Sequence, residues 1–175
     1  MTIKCPPGNI RIVSAYCPVH SNGPETVRAQ HERILSQNQP TDPREDILDS
    51  LHSLIQSWIE QGDHVILCMD VNEDVRSHRL RQFTNSLDMQ DAILHKHTNP
   101  PSNCDRNNNR QPIDAIWTTP GLLPVVSGYL PFDQGCPSDH RLLWLDLVKD
   151  TFLDNSPKLA IPNTPVTQNL GSTPC

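Results

Sequence analysis

"DPREDILDSLHSLIQSWIEQGDHVILCMD" (Asp42–Asp70) is the stretch on which the fold turns. Asp42 has the side chain of an N-cap, Pro43 suits the first helical position, and Glu45 completes an Asp-x-x-Glu capping box. Ile47, Leu48, Leu51, Leu54, Ile55, Trp58 and Ile59 then recur at the helical period, so one face of the helix is apolar. Gly62 is the expected stop, since glycine takes the left-handed conformation at which helices end. The run Val65 to Met69 is continuously apolar and of strand length, the pattern of a strand covered on both faces. A helix followed at once by a buried strand is the unit of layered α/β domains.

Working outward, "NIRIVSAYCPV" carries β-branched Ile10, Ile12 and Val13 and is stopped by Pro18, which predicts a strand ending at Tyr16. "GPETVRAQHERIL" places Pro24 near a helix start and Val27, Ile34 and Leu35 at helical spacing, so a short helix is expected there. "SHRLRQFTNSL" puts Leu80, Phe83 and Leu87 on one helical face. "IDAIW" (Ile113–Trp117) reads as a short strand. In "CPSDHRLLWLDL" (Cys136–Leu147), Leu143, Leu145 and Leu147 alternate with Leu142 and Trp144, which predicts a strand with both faces largely covered. The polar stretch "HTNPPSNCDRNNNRQP" is expected to be a loop. Residues 150–175, with scattered prolines and no period, are expected to be a disordered tail or linker after a domain spanning 1–149.

The 175 residues suffice for one domain with a sizeable core, or for part of a larger one. A hydrophobic content of 35% is low, and 17 prolines against 7 glycines point to long, stiff connections. A net charge of −6 argues against a generic nucleic-acid coat but not against an enzyme acting on phosphates, where cations reverse the local field. No segment reaches the length of a membrane-spanning helix or has the core of a signal peptide. Cys5, Cys17, Cys68, Cys104, Cys136 and Cys175 show no zinc-type spacing, so reduced thiols in an intracellular protein are expected, and structural zinc is not.

Polar residues recur at the ends of these strands. Tyr16 closes the first, Asp70 and Asn72 follow the buried run, and Asp139-His140 precede the last. Asp114 sits inside a short apolar strand, where a carboxylate is costly unless bonded. Each alone reads as well as a turn or rim residue. Their repetition points to a site mounted on rigid strand ends.

Tyr16-Cys17-Pro18, Met69-Asp70-Val71-Asn72, Ile113-Asp114-Ala115 and Ser138-Asp139-His140 resemble, in order and spacing, the Tyr-x-Pro, Gly-Asp-Phe-Asn, Ile-Asp-Tyr and Ser-Asp-His strings of the endonuclease/exonuclease/phosphatase (DNase I-like) superfamily. The likeness spans residues 9 to 148. It implies a four-layer α/β sandwich, two packed sheets with outer helices, and metal-dependent hydrolysis of phosphoesters. By the same resemblance His140 contacts the scissile phosphate or helps activate the attacking water, and Asp114 orients its imidazole. Asp70 handles a proton on the nucleophile or near the leaving group, Asn72 positions the phosphate, and Tyr16 donates to developing charge. Asp139 binds or orients a divalent cation, Mg²⁺ or Mn²⁺.

The sequence departs from those strings at Met69 and Val71, which stand for glycine and phenylalanine, and at Ala115, which stands for an aromatic residue. No carboxylate precedes Tyr16, whereas the family takes a metal-holding glutamate from an N-terminal segment. An incomplete N-terminal side is therefore expected, and with it the alternative of a non-catalytic remnant or interaction module. The helix before Val65 and the asparagine-rich loop are similar to endonuclease domains of non-LTR retroelements. That likeness implies a nucleic-acid substrate, an associated reverse transcriptase, a nuclear location and no membrane partner. A small-molecule or lipid phosphatase is the alternative within the same fold.

Overall fold

The structure, a computed structural model, describes residues 1–5, 8–21, 23–37, 41–105, 111–122, 124–132, 134 and 137–148. The expected tail 150–175, Arg106, Arg110 and the asparagine run between them, Cys136 and Cys175 lie outside these residues.

The strands are β1 (Thr2–Ile3), β2 (Ile10–Tyr16), β3 (His64–Asp70), β4 (Gln90–Asp91), β5 (Asp114–Thr118), β6 (Val126–Tyr129) and β7 (Leu143–Asp146). The helices are α1 (Val27–Leu35), α2 (Pro43–Glu60) and α3 (His78–Ser86). A five-stranded sheet has the order β1-β2-β3-β5-β4, and β6 pairs with β7 in a second sheet. β2 runs parallel to β3, so the chain between them must cross over, and α1 and α2 make that crossing. β5 returns antiparallel to β3.

Strand β3 explains the layering. Val65, Leu67 and Met69 face Leu48, Leu51 and Ile55 of α2 and Leu80 and Phe83 of α3 in one buried cluster. Ile66 and Cys68 belong to a second cluster with Ile10 and Ile116, against which Leu143, Leu145 and Leu147 pack. Helices, large sheet and small sheet thus form successive layers held by two apolar cores. Each fully buried aliphatic side chain contributes roughly 1.5–3 kcal/mol to that packing. The expected mixed α/β architecture with two packed sheets is what the structure has.

Local signals act as read at α2's cap and stop, but no Glu45 side-chain bond closes the expected capping box among the described residues. Asp42 accepts from Arg44 N at 2.8 Å, Pro43 opens the helix, and Gly62 follows its end at φ +82°. α1 departs from expectation. It starts at Val27 after a Thr26 cap, leaving Pro24 outside, and buries none of its residues; Ile34 is 62% exposed. It meets α2 without burying any of its residues, so its apolar spacing marks no core face. The helix is instead tied by Thr26 Oγ1 to Ala29 N and by Arg28, which pairs with Glu32 and Asp42. The last strand also differs: only its Leu143/Leu145/Leu147 face is packed, while Leu142 is 43% exposed and Trp144 lies over Gly128. β1, β4 and β6 carry no pattern that a sequence reading finds, being short and paired through tertiary contacts.

β4 holds an unusual carboxylate. Burial pushes Asp91 up to about 6, against N–H donation to Oδ1 from Leu94 and Ile93. The unfolded carboxyl titrates near ~3.9. A raised folded value means that stability is fully present below about pH 4 and is lost as pH rises through about 6. Asp91→Asn is expected to remove that loss, gaining about 2–3 kcal/mol over wild type between pH 4 and pH 8 at roughly 1.4 kcal/mol per unit. Urea midpoints of both proteins across that range check it. A constant difference between them would show that Asp91 does not titrate there.

Candidate active site

Three strands place the candidate residues side by side. In the parallel register Tyr16 pairs with Asp70, and in the antiparallel register Asp70 pairs with Asp114. The phenol and two carboxylates therefore sit in one row at the end of β2, β3 and β5. Cys17 N donates to Asp70 O and Val71 N to Ile113 O, both at 2.8 Å, so the pairing continues past the strand ends. Tyr16 is 43% exposed and faces solvent at this rim.

Asn72 occupies the turn leaving β3, at φ +49°, a left-handed conformation that asparagine tolerates better than most residues. Its N–H donates to Asp70 Oδ1 at 3.0 Å, and its side-chain amide donates to Cys17 O at 2.9 Å. Asn72 thus ties the loop after β2 to the loop after β3 and keeps one amide hydrogen for other partners.

His140 arrives from a segment distant in sequence. Its Nδ1 lies 2.8 Å from Asp114 Oδ2, and its backbone N–H is fixed by Ser138 Oγ at 3.0 Å. Burial pushes Asp114 up to about 6; the bond to His140 opposes this, and the charges of Asp70 and Asp139 add to it. Asp70 is raised as well, first by burial. The Asn72 N–H, His140 and Arg44 oppose that rise, and Asp139 adds to it. Three carboxylates and an imidazole therefore share one electrostatic neighbourhood. Asp70, Asp114 and His140 each offer a ligand atom within 4.8 Å of the others. Asp139 falls in a different grouping, with Cys104 and His140.

The concentrated carboxylates suit a hard cation. Oxygen donors from Asp70 and Asp114 converge, and burial, the main reason both carboxyls are raised, penalises their charge unless a cation joins them. A cleft of about 310 Å³ lies beside them, lined by Asp70, Asp114, Arg141 and Leu143.

Two residues that sequence reasoning passed over hold this site together. Arg44, 1% exposed, donates to Pro18 O and to Val71 O (2.9 Å) and pairs with Glu73 at 3.4 Å. It anchors both loops that frame Tyr16 and Asn72. Asn103, 4% exposed, accepts from Ile113 N (2.7 Å) and Asp114 N (3.1 Å) and donates to Asp114 O (2.7 Å). A helix-start arginine and a loop asparagine carry no signal that distinguishes them from surface residues.

No known family profile matches the sequence, and no curated protein matches it. Solved structures do. The catalytic domain of Xenopus laevis APE2 superposes over 86% of this chain with TM-score 0.54 and 17% identity. The chain has the DNase I-like α/β fold. Two further structures are similar over a weaker superposition. An endonuclease/exonuclease/phosphatase family protein from Bacteroides thetaiotaomicron aligns over 55% of the chain at 21% identity and TM-score 0.41. The human Nocturnin catalytic domain aligns over 81% at 19% identity and TM-score 0.48. This DNase I-like chain spans only 56%, 41% and 49% of the APE2, Bacteroides and Nocturnin chains. No helix among its described residues is long and apolar enough to cross a membrane, and Cys5, Cys17, Cys68 and Cys104 are free thiols.

Proposed function

We propose that the chain carries the phosphoester-hydrolysing site of a metal-dependent nuclease-type enzyme, with a nucleic-acid phosphodiester as substrate. The observation that supports it best is the Asp114–His140 pair set beside Asp70 at adjacent strand ends. With Nδ1 held by a carboxylate, the imidazole is fixed in orientation and its Nε2 is left to exchange a proton with water or to meet a phosphate oxygen. Asp70, raised by burial, suits a group that takes up or hands on a proton. Asn72, whose backbone N–H meets the same carboxylate, has a side-chain amide hydrogen to spare for phosphate, and Tyr16 offers a phenolic donor to developing charge. A hard divalent cation, Mg²⁺ or Mn²⁺, held by Asp70 and Asp114 with Asp139 close by, would supply charge neutralisation at the phosphate.

The narrower reading of a retroelement endonuclease encoded with a reverse transcriptase rests on the likeness of α2 and the asparagine-rich loop. The test is turnover by the purified chain with Mg²⁺ or Mn²⁺ on supercoiled plasmid, a phosphodiester lipid and an inositol phosphate. Metal-dependent plasmid nicking is the expected result. Turnover of the small substrates alone would overturn the nucleic-acid assignment. No turnover by a demonstrably folded chain would overturn catalysis by this chain and leave a binding module.

A further inference from the structure

A second donor set shares His140 but draws its other members from elsewhere. Cys104 Sγ, a carboxylate oxygen of Asp139 and a ring nitrogen of His140 lie within 4.8 Å of one another. The segments that bear them are joined main chain to main chain. Cys104 and His140 face each other across an antiparallel bridge, Asp105 N donates to Asp139 O, and Arg141 N donates to Asn103 O, the last two at 2.8 Å. Asn103, buried and bonded to β5 through Ile113 and Asp114, fixes this frame to the large sheet. The three side chains are thus held close before any ion arrives, which lowers the ordering cost of binding one.

The donor chemistry is unlike that of the all-oxygen pair Asp70 and Asp114. One thiolate, one imidazole and one carboxylate match the preference of Zn²⁺ and Cd²⁺, with a fourth tetrahedral position left for water, and do not suit Mg²⁺. With Nδ1 engaged by Asp114, Nε2 is the nitrogen left for a cation. A carboxylate behind the imidazole is the arrangement that metal-bound histidines commonly have, because it sets the tautomer and raises ligand basicity. Cys104 is 3% exposed, so a metal–thiolate bond there is shielded from water.

We propose that Cys104, Asp139 and His140 form a site for a thiophilic divalent cation, Zn²⁺ in class, distinguished by its thiolate from the Mg²⁺-type position of Asp70 and Asp114. Binding displaces the thiol proton: Cys104–SH and M²⁺ give the Cys104–S–M⁺ thiolate complex and one H⁺ released to solvent. Occupancy takes His140 Nε2 out of reach of phosphate, so the cation inhibits. That inhibitory consequence rests on the phosphoesterase reading; the binding itself does not.

The experiment is a Cd²⁺ titration of the purified, reduced full chain. It follows the ultraviolet thiolate-to-cadmium charge-transfer band and the protons released, with circular dichroism as the check on folding. One Cd²⁺ per chain, retained against excess Mg²⁺, is expected. Cys104→Ser abolishes the band, Cys68→Ser leaves it intact, and Asp139→Asn keeps it while weakening affinity. Asp114→Asn, which removes the carboxylate behind His140, weakens affinity by roughly tenfold or more. No band in a folded wild-type chain, a band undiminished in Cys104→Ser, or an affinity unmoved by Asp139→Asn overturns the site. Where the chain turns over a substrate, added Zn²⁺ inhibits wild type and spares Cys104→Ser. Inhibition equal in both overturns the inhibitory role, while a chain without turnover still gives the binding result.

Discussion

His140→Ala is expected to lower metal-dependent phosphoester hydrolysis by roughly 10²–10⁴-fold, the range for losing a positioned proton-transfer group. The side chain is 31% exposed, and its one bond recorded within the site is to Asp114, so the fold should survive its removal. The variant leaves Asp114 without the imidazole that holds its carboxyl down against burial, so that group is pushed further up. Turnover on whichever phosphoester the wild type cleaves, with circular dichroism on both proteins, measures the effect. A folded variant with activity within about threefold of wild type would remove His140 from the chemistry, since the smallest contribution expected of such a group is larger.

Arg44→Met is expected to destabilise the chain by about 2–6 kcal/mol, the cost of leaving two buried carbonyls without their donors. The guanidinium is 1% exposed and serves Pro18 O, Val71 O and Glu73 at once. Glu73 keeps its pair with Arg79, so its charge is not orphaned. The two carbonyls lose their donors in a buried place, and each unmade bond costs on the order of 1–3 kcal/mol. The loops they belong to carry Tyr16 and Asn72, so activity falls together with stability. Arg44→Lys keeps the charge but has no planar fork to reach two carbonyls and a carboxylate, and it should recover only part of the loss. Urea unfolding of the three proteins decides the point. A methionine variant within about 1 kcal/mol of wild type would mean that Arg44 does not tie the loops, because even one unmade buried bond costs that much.

The two predictions differ in how far their residues are visible before folding. His140 stands in a recognisable Ser-Asp-His string ahead of an apolar alternation, so its candidacy is legible from neighbours in sequence. Arg44 is one charged residue in a capped first helical turn, where a charge normally faces water. Only the close approach of that turn to the loops after β2 and β3 makes it a buried strut. α1 shows the reverse failure: Val27, Ile34 and Leu35 have the spacing of a packed face, yet the helix meets α2 without burying any of its residues.

Elements with a strong local code were legible in the chain before folding: the Asp42-capped helix ended near Gly62, the two-faced strand β3, the β-branched β2 and the strand around Asp114. It was also legible that Tyr16, Asp70, Asn72, Asp114 and His140 stand at the ends of, or within, such elements. Side-chain periodicity and capping are local properties, written within a few residues of where they act. The rest came from packing between distant segments. It set the register that puts Asp70 opposite Asp114, the return of residues 138–141 that brings His140 to 2.8 Å from Asp114, the burial of Arg44 and Asn103, and the meeting of Cys104 with His140. Each of these joins segments far apart in the chain. Their proximity depends on how the layers close over two apolar cores, and no run of neighbouring residues encodes that closure.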